Sequence, residues 1–395
     1  MPTETTIEQL PRFVSFQDVE QVAARFDGME SLTIGLNRFE RTRLFGEGAL
    51  LGLVTLARNN TKDVVVQLGA DLPRFTTGTK NRYWKIFTES ISGFVLGQLA
   101  NSIVDGSGKN VTDAIRAQQS NSLRLQEGYI GSGKEIAAAI TDQFEAPTSA
   151  ELINEGNTTN FGPLLAYALR ARLGVEGAPG GPSMNVTMFA SELLENTRDH
   201  ATTDLEHNPI DGIRFLNVLR INPDQEDLRA IIPSAERSGG YSRALSDVLN
   251  VGASAEHLLA MTVSDGGLGI AARMCGTLDI YQEPVERERN MILKAIAKGG
   301  SSKSASVTGR GLGLQNVMDA TQRLGGLLVF RTGRTRLYYY GNLQVASGST
   351  EIQGRNERAL PFLPGTSVSI LFPWKLRAKQ LDLFGVKDAD SIGGR

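Results

Sequence analysis

The run Met261–Ile270, MTVSDGGLGI, constrains this chain more than any other. An apolar segment of strand character stops at a carboxylate, Asp265, and passes directly into glycines. Such an ending puts an acceptor-only side chain at the mouth of a strand, suited to the exocyclic amine of a base. Gly267 and Gly269 let a flat ring approach the backbone with no Cβ in the way. Alone, the run reads equally well as an ordinary Asp-Gly turn.

Three further segments carry chemistry. In Ala190–Ala201, ASELLENTRDHA, the residues Glu192, Asn196 and His200 recur every fourth position, which puts them on one face of a helix. A carboxylate there suits orienting or deprotonating a water, and the Asn amide oxygen is a hard ligand of the kind Mg²⁺ takes. By itself the stripe also fits a solvated helix face. In Gly299–Leu314, GGSSKSASVTGRGLGL, the glycines at 309, 311 and 313 precede a helix beginning near Leu314, an arrangement that binds anions. The Ser/Lys-rich run before them reads as a lid, with Lys298, Lys303 and Arg310 available to phosphate, although a glycine-rich linker has the same composition. In Pro364–Phe372, PGTSVSILF, Thr366 opens a terminal strand next to a turn.

Taken together and in this order, the four segments are far more specific than any one of them. From about residue 160 to 374 the chain resembles the GHKL superfamily of ATPases, which comprises gyrase, the large heat-shock chaperone, histidine kinases and the mismatch-repair ATPases. Glu192-x-x-x-Asn196 looks like the family's N box, and Asp265-x-Gly267-x-Gly269 its first glycine box. Gly309-Arg310-Gly311-Leu312-Gly313 looks like the second glycine box, and Gly365-Thr366 the small box near the end. The resemblance implies an α/β fold: a two-layer α/β sandwich of the Bergerat type, with a mixed sheet backed by helices, preceded by a smaller α/β domain. It implies ATP and Mg²⁺ as ligands. Asn196 would hold the metal, Asp265 the adenine amine with Thr366 assisting through water, and Gly309, Gly311 and Gly313 the phosphates. The lid would span roughly 283–308, and Glu192 would polarise the attacking water. His200 lies where many kinase-like members carry His or Lys; a phosphate contact and a structural contact both fit.

Glu192 separates members of the superfamily. Hydrolysing members and serine kinases of the anti-sigma type carry a carboxylate four residues before the Asn, and many sensor histidine kinases do not. No histidine precedes Asn196, so a phospho-accepting His on an upstream helix is absent from this sequence. The expectation is an ATPase acting as a nucleotide-gated switch on a protein partner. A serine/threonine protein kinase in a partner switch and an ATP-binding scaffold with negligible turnover are the alternatives.

Composition narrows the rest. The formal charge is −2, which fits neither a nucleic-acid coat nor a basic membrane-surface binder and leaves direct nucleic-acid binding open. One cysteine and three histidines leave little scope for a zinc site. The longest apolar stretches, 49–57 and 94–104, fall short of the roughly 18 residues of a membrane span, and the N-terminus lacks a secretory pattern, so a cytoplasmic location is expected. Residues 1–150 read as a mixed α/β regulatory or dimerisation domain, faintly similar to a STAS domain, with 151–374 the ATP-binding domain and 375–395 a polar tail. Strands are expected over 31–36 and 63–68, a helix over 47–58, and one or two helices over 84–104. The segment Gly128–Glu135, GYIGSGKE, imitates a phosphate loop but lacks the Ser or Thr that follows the Lys, and reads as a turn before a helix. The basic cluster Arg331, Arg334 and Arg336 reads as a solvated hairpin. In the tail, Gln380, Leu381, Asp382, Leu383 and Phe384 (QLDLF) resemble the peptide by which bacterial replication and repair factors dock on the sliding clamp.

Overall fold

The computed structural model describes residues 7–11, 13–26, 31–36, 41–42, 46–60, 63–68, 91–117, 129–132, 135–141, 182–210, 213–221, 245–249, 257–297, 313–341, 353–354 and 359–374. The expected helix at 164–173, the Ser/Lys-rich lid, Lys298, Lys303, Gly309, Arg310, Gly311, Leu312 and the QLDLF tail lie outside the described residues.

The described residues form an α/β structure. Its first part builds a four-stranded parallel sheet, in the order β1 (Ile7–Gln9), β3 (Ser31–Gly35), β5 (Asp63–Gln67), β6 (Ser102–Val104). A short parallel pair, β2 (Phe13–Val14) and β4 (Arg41–Thr42), stands beside it. Parallel neighbours need crossovers, and the helices α1 (Phe16–Arg25), α2 (Gly46–Asn59) and α3 (Ile91–Leu99) lie in those connections. Helix α1 starts at a capping box: the Ser15 side chain accepts from the Asp18 amide, while the Asp18 carboxylate accepts from the Ser15 amide. Of the stretch 84–104, Ile91–Leu99 is helical as expected, but Ser102–Val104 is strand. Asn101 makes the change of direction, its amide donating to the Val64 carbonyl and its side-chain oxygen accepting from the Val64 amide.

The larger sheet has eight strands in the order β13-β12-β11-β14-β10-β9-β8-β7. They are β7 (Tyr129–Ser132), β8 (Glu135–Thr141), β9 (Ile213–Ile221), β10 (His257–Asp265), β11 (Leu327–Gly333), β12 (Thr335–Tyr340), β13 (Gln353–Gly354) and β14 (Leu363–Trp374). A mixed sheet is what the resemblance implies; every pairing here is antiparallel. Of the phosphate-loop imitation, Tyr129–Ser132 and Glu135 are paired antiparallel strand rather than a turn before a helix. The Ala-rich segment Glu135–Thr141 has helical propensity, but its backbone is paired along its length with β9. Both hairpin strands precede residue 150, so the sheet draws on both sides of that boundary.

Side chains of β9, β10, β11, β12 and β14 alternate between the two faces, as a period of two requires. Leu216, Val218, Leu259, Met261, Val263, Leu328, Phe330, Val368, Ile370 and Phe372 pack toward α4 (Pro182–Ala201), α5 (Ile270–Cys275), α6 (Val285–Ile296) and α7 (Gly313–Leu324). Phe215, Leu258, Ala260, Leu327, Val329 and Leu371 pack the other way, into one continuous core with α1, α2, α3 and the parallel sheet. Burial on both faces explains why these strands read as near-continuous apolar runs. The Tyr338–Tyr340 run follows the same alternation, Tyr339 in one core and Tyr338 and Tyr340 against the other.

The basic cluster is not a solvated hairpin. Arg331 is 3% exposed; its guanidinium pairs with Glu20 of α1 at 2.9 Å and donates to the Pro361 carbonyl at 2.7 Å. Arg334 pairs with the fully buried Glu288 of α6 at 2.9 Å, and Arg336 lies over the Phe16 ring. A buried charge persists only when paired, so these arginines fasten β11 and β12 to the helices on either side. No helix among the described residues is long and apolar enough to cross a membrane.

Candidate functional site

The site is built along α4. At its C-terminal end, β10 delivers Asp265 into a buried position between β9 and β14. One carboxylate oxygen, Oδ1, accepts from the Gly267 amide at 2.9 Å and from the Thr366 amide at 3.2 Å. Among the described residues no donor reaches Oδ2. Burial pushes the Asp265 carboxyl up to about 6; the two amide bonds and the Arg214 and Arg273 charges act against that rise without cancelling it.

Two glycines of this end occupy backbone conformations that other residues avoid. Gly269 has φ 86°, and a Cβ there would lie 2.5 Å from the Tyr281 hydroxyl and 3.0 Å from Thr332 Oγ1. Gly365 has φ 84°, and its Cβ would collide with the Asp265 carbonyl. The requirement is therefore for close backbone approach as well as for the left-handed region. Tyr281 donates to the Leu268 carbonyl at 2.7 Å, and burial keeps its phenol protonated. Thr332 Oγ1 accepts from the Ile270 amide at 3.1 Å and sits 3.4 Å from Thr366 Oγ1.

The second half of the site lies further up α4. Gly313 opens α7 directly against the Glu192 and Asn196 side chains: a Cβ on it would stand 3.0 Å from Glu192 Oε2 and 3.3 Å from Asn196 Nδ2. Asn316, one turn into α7, donates from Nδ2 to Glu192 Oε1 at 2.6 Å. The Asn196 amide nitrogen is buried and has no hydrogen-bond partner among the described residues. A buried amide without a partner is a destabilising arrangement that an added ligand relieves.

The two halves meet through the end of α4. A Cβ on Gly267 would lie 2.8 Å from the Cα of Ala201, and Ala201 is five residues beyond Asn196, about 7.5 Å along the helix axis. Arg273 of α5 locks this junction, donating to the His200 carbonyl and to the Asp204 carbonyl, each at 2.7 Å. Thus Glu192, Asn196 and Gly313 form one cluster, Asp265, Gly267, Gly269 and Thr366 another, and His200 lies at the joint between them. The His200 carbonyl is the acceptor for Arg273 at this joint.

Helix α6 occupies the first part of the expected lid. Residues 285–296 form a regular helix whose Glu288 is held by the Arg334 backbone amide, the Arg334 guanidinium and the Thr335 hydroxyl. These bonds tie the first part of the expected lid to β12, and its remainder, 298–308, lies outside the described residues.

Among the described residues, no group of three His, Cys, Asp or Glu side chains is placed to hold a metal. A hard cation at Asn196 would take the amide oxygen and complete its shell with water and a ligand's own oxygens, as Mg²⁺ does. Residues absent from the sequence reading also contribute: Asn316, Thr332, Tyr281 and Arg273. Asn316 had a signal, since it stands three residues after Gly313 and so shares its helix face. The other three reach the site through tertiary contacts with no local signature. No family model matches the chain, and no curated protein compared with it matches either.

Proposed function

We propose that this chain is a Mg²⁺-dependent ATP-binding and ATP-hydrolysing protein of the GHKL type, working as a nucleotide-gated switch on a partner. The observation that carries the reading is the shared use of α4. One end of the helix meets a buried, strand-terminal carboxylate, and the middle presents a carboxylate and an unpartnered amide to the glycine that opens α7.

The hydrogen bonding of Asp265 supports adenine over guanine. With Oδ1 occupied by two backbone amides, Oδ2 is left to accept from one exocyclic amine. A guanine edge offers two adjacent donors and would call for both oxygens. Asn196 would hold Mg²⁺, whose contribution when bound is to neutralise charge on the phosphates. Glu192 takes the proton of the attacking water as that oxygen bonds to the γ-phosphorus. The bond from phosphorus to the β,γ-bridging oxygen breaks, its electron pair leaves with ADP, and inorganic phosphate is the second product.

A route for the switch is present in the packing of α2 behind the site strands. Gly48 lies against the Ser264 and Ser367 hydroxyls, Gly52 against Leu363 and the Pro364 carbonyl, and the Thr55 hydroxyl against Gly266. A change at Asp265 or Gly365 therefore meets the N-terminal unit within one layer of atoms.

The test is calorimetry of the full chain with ATP and GTP in Mg²⁺, together with incubation with γ-labelled ATP. ATP binding without GTP binding, and label released as free phosphate, is the expected result. Label on protein would make the chain a kinase of the anti-sigma type. Binding of neither nucleotide would refute the reading. Docking of Gln380–Phe384 on a sliding clamp is a separate proposal, and co-elution lost on deleting residues 379–395 is its test.

A further inference from the structure

We infer that Asn316 is a positioning residue for phosphoryl transfer, acting through Glu192; the inference rests on the reading of the site given above. Its Nδ2 donates to Glu192 Oε1 at 2.6 Å, a short bond to a group with no donor of its own while ionised. That bond fixes one carboxylate oxygen and leaves the other, Oε2, facing Gly313 at the start of α7. Glu192 and Asn316 sit on different helices, so the bond also sets the register of α4 against α7 at the point where the two come together.

The geometry assigns a division of labour. A glutamate held by its own torsions alone samples several rotamers, and only some direct an oxygen toward a water above Gly313. Asn316 selects among these without touching the substrate. It is uncharged and cannot itself act as a base. Removing it should therefore lower the rate of transfer and leave ground-state binding nearly untouched.

The experiment measures ADP formation by the full chain, which counts transfer to water and to a protein hydroxyl alike. The variants are Asn316→Ala, Asn316→Asp, Glu192→Gln and the double variant Asn316→Ala with Glu192→Gln, each with its melting temperature and its ATP dissociation constant. Asn316→Ala should lose roughly 10- to 100-fold in kcat with KM within about threefold, the scale of a misoriented catalytic group. The double variant should be no slower than Glu192→Gln alone, because a residue acting through Glu192 has nothing left to position. Asn316→Asp should be the most impaired above pH 8, where two carboxylates face each other, and should recover relative to wild type as the pH falls and the pair shares a proton.

A merely structural role would lower the melting temperature of Asn316→Ala and slow the Glu192→Gln background as much as it slows wild type. If Asn316→Ala keeps a kcat within about threefold of wild type, changes KM alone, or slows the Glu192→Gln background further, the inference falls while the site reading stands. If wild type binds no ATP, or Glu192→Gln turns over normally, the site reading falls and takes the inference with it.

Discussion

The Asp265 end and the Glu192 end of the site are built differently. At the Asp265 end, the carboxylate is buried and doubly bonded to backbone amides, and two left-handed glycines bring the surrounding chain to within contact of it. The Glu192 end is half-buried and, among the described residues, is held by a side-chain bond from Asn316 and contains an amide with no partner. At one end the chain's own backbone fixes the recognising carboxylate and leaves a single oxygen for the ligand; at the other the polar side chains themselves wait for a ligand. Preformed recognition beside a reaction centre that awaits its substrate predicts that binding and turnover separate cleanly by mutation.

The largest effect belongs to Glu192. Glu192→Ala should lose about 100- to 10,000-fold in turnover, the range for removing a general base, with the ATP dissociation constant nearly unchanged by calorimetry. A parallel loss of binding would erase the distinction between the ends. Asp265→Asn should do the reverse at the other end. It keeps an oxygen for the Gly267 and Thr366 amides but turns a donor toward the base amine, and loss of a charged hydrogen bond of about 1.5–3 kcal/mol weakens ATP binding roughly 10- to 150-fold. Normal ATP affinity in this variant would remove the Asp265 end from nucleotide recognition altogether. Gly313→Ala is expected to act more gently. Its methyl would press on Glu192 Oε2 and the Asn196 amide and displace them by a few tenths of an ångström. Turnover should fall several-fold while adenosine, which lacks phosphates, binds as before; an equal loss of adenosine binding would show that the two clusters do not move independently.

The unequal construction of the two ends also explains what the sequence made legible. Strands β10, β11 and β14 and helices α4, α6 and α7 follow from apolar runs and helical spacing that survive intact in the fold. The pairings Glu192 with Asn196 and Asp265 with Gly267 are local, so spacing alone brings them to one face or one turn. Contacts between distant parts of the chain left no such trace. Nothing in EGALLGLVTLAR tells that Gly48 meets Ser367, and nothing local joins Glu20 to Arg331. The β7–β8 hairpin was masked by glycines and by an alanine run whose propensity the pairing with β9 overrides. The arginines at 331, 334 and 336 look solvated in sequence because their partners, Glu20, Glu288 and Phe16, come from two other parts of the chain.

The smallest predicted effect is one of stability, and it isolates the cost of the preformed end. The folded Asp265 carboxyl holds its proton up to about pH 6, whereas in the unfolded chain it releases it near 3.8. Between those values the folded state binds more protons, so stability falls as the pH rises. The contribution of the neutral, buried carboxyl is present in full below 3.8 and is lost as the pH climbs through 6. Asp265→Asn carries no such burden, since an amide stays neutral throughout. Without nucleotide, the variant should melt level with wild type near pH 4 and above it from pH 7 upward, by about 2–4 °C for each kcal/mol recovered in a domain of roughly two hundred residues. Saturating ATP should narrow the gap at pH 7, because wild type, which binds about 10- to 150-fold more tightly, gains about 1.4–3 kcal/mol more stability from the ligand. A melting difference that stays constant from pH 4 to pH 8 would mean that Asp265 is charged in the folded state throughout. In that case the Asp265 end would owe its form to packing alone, and its contrast with the Glu192 end would be one of shape rather than of stored electrostatic strain.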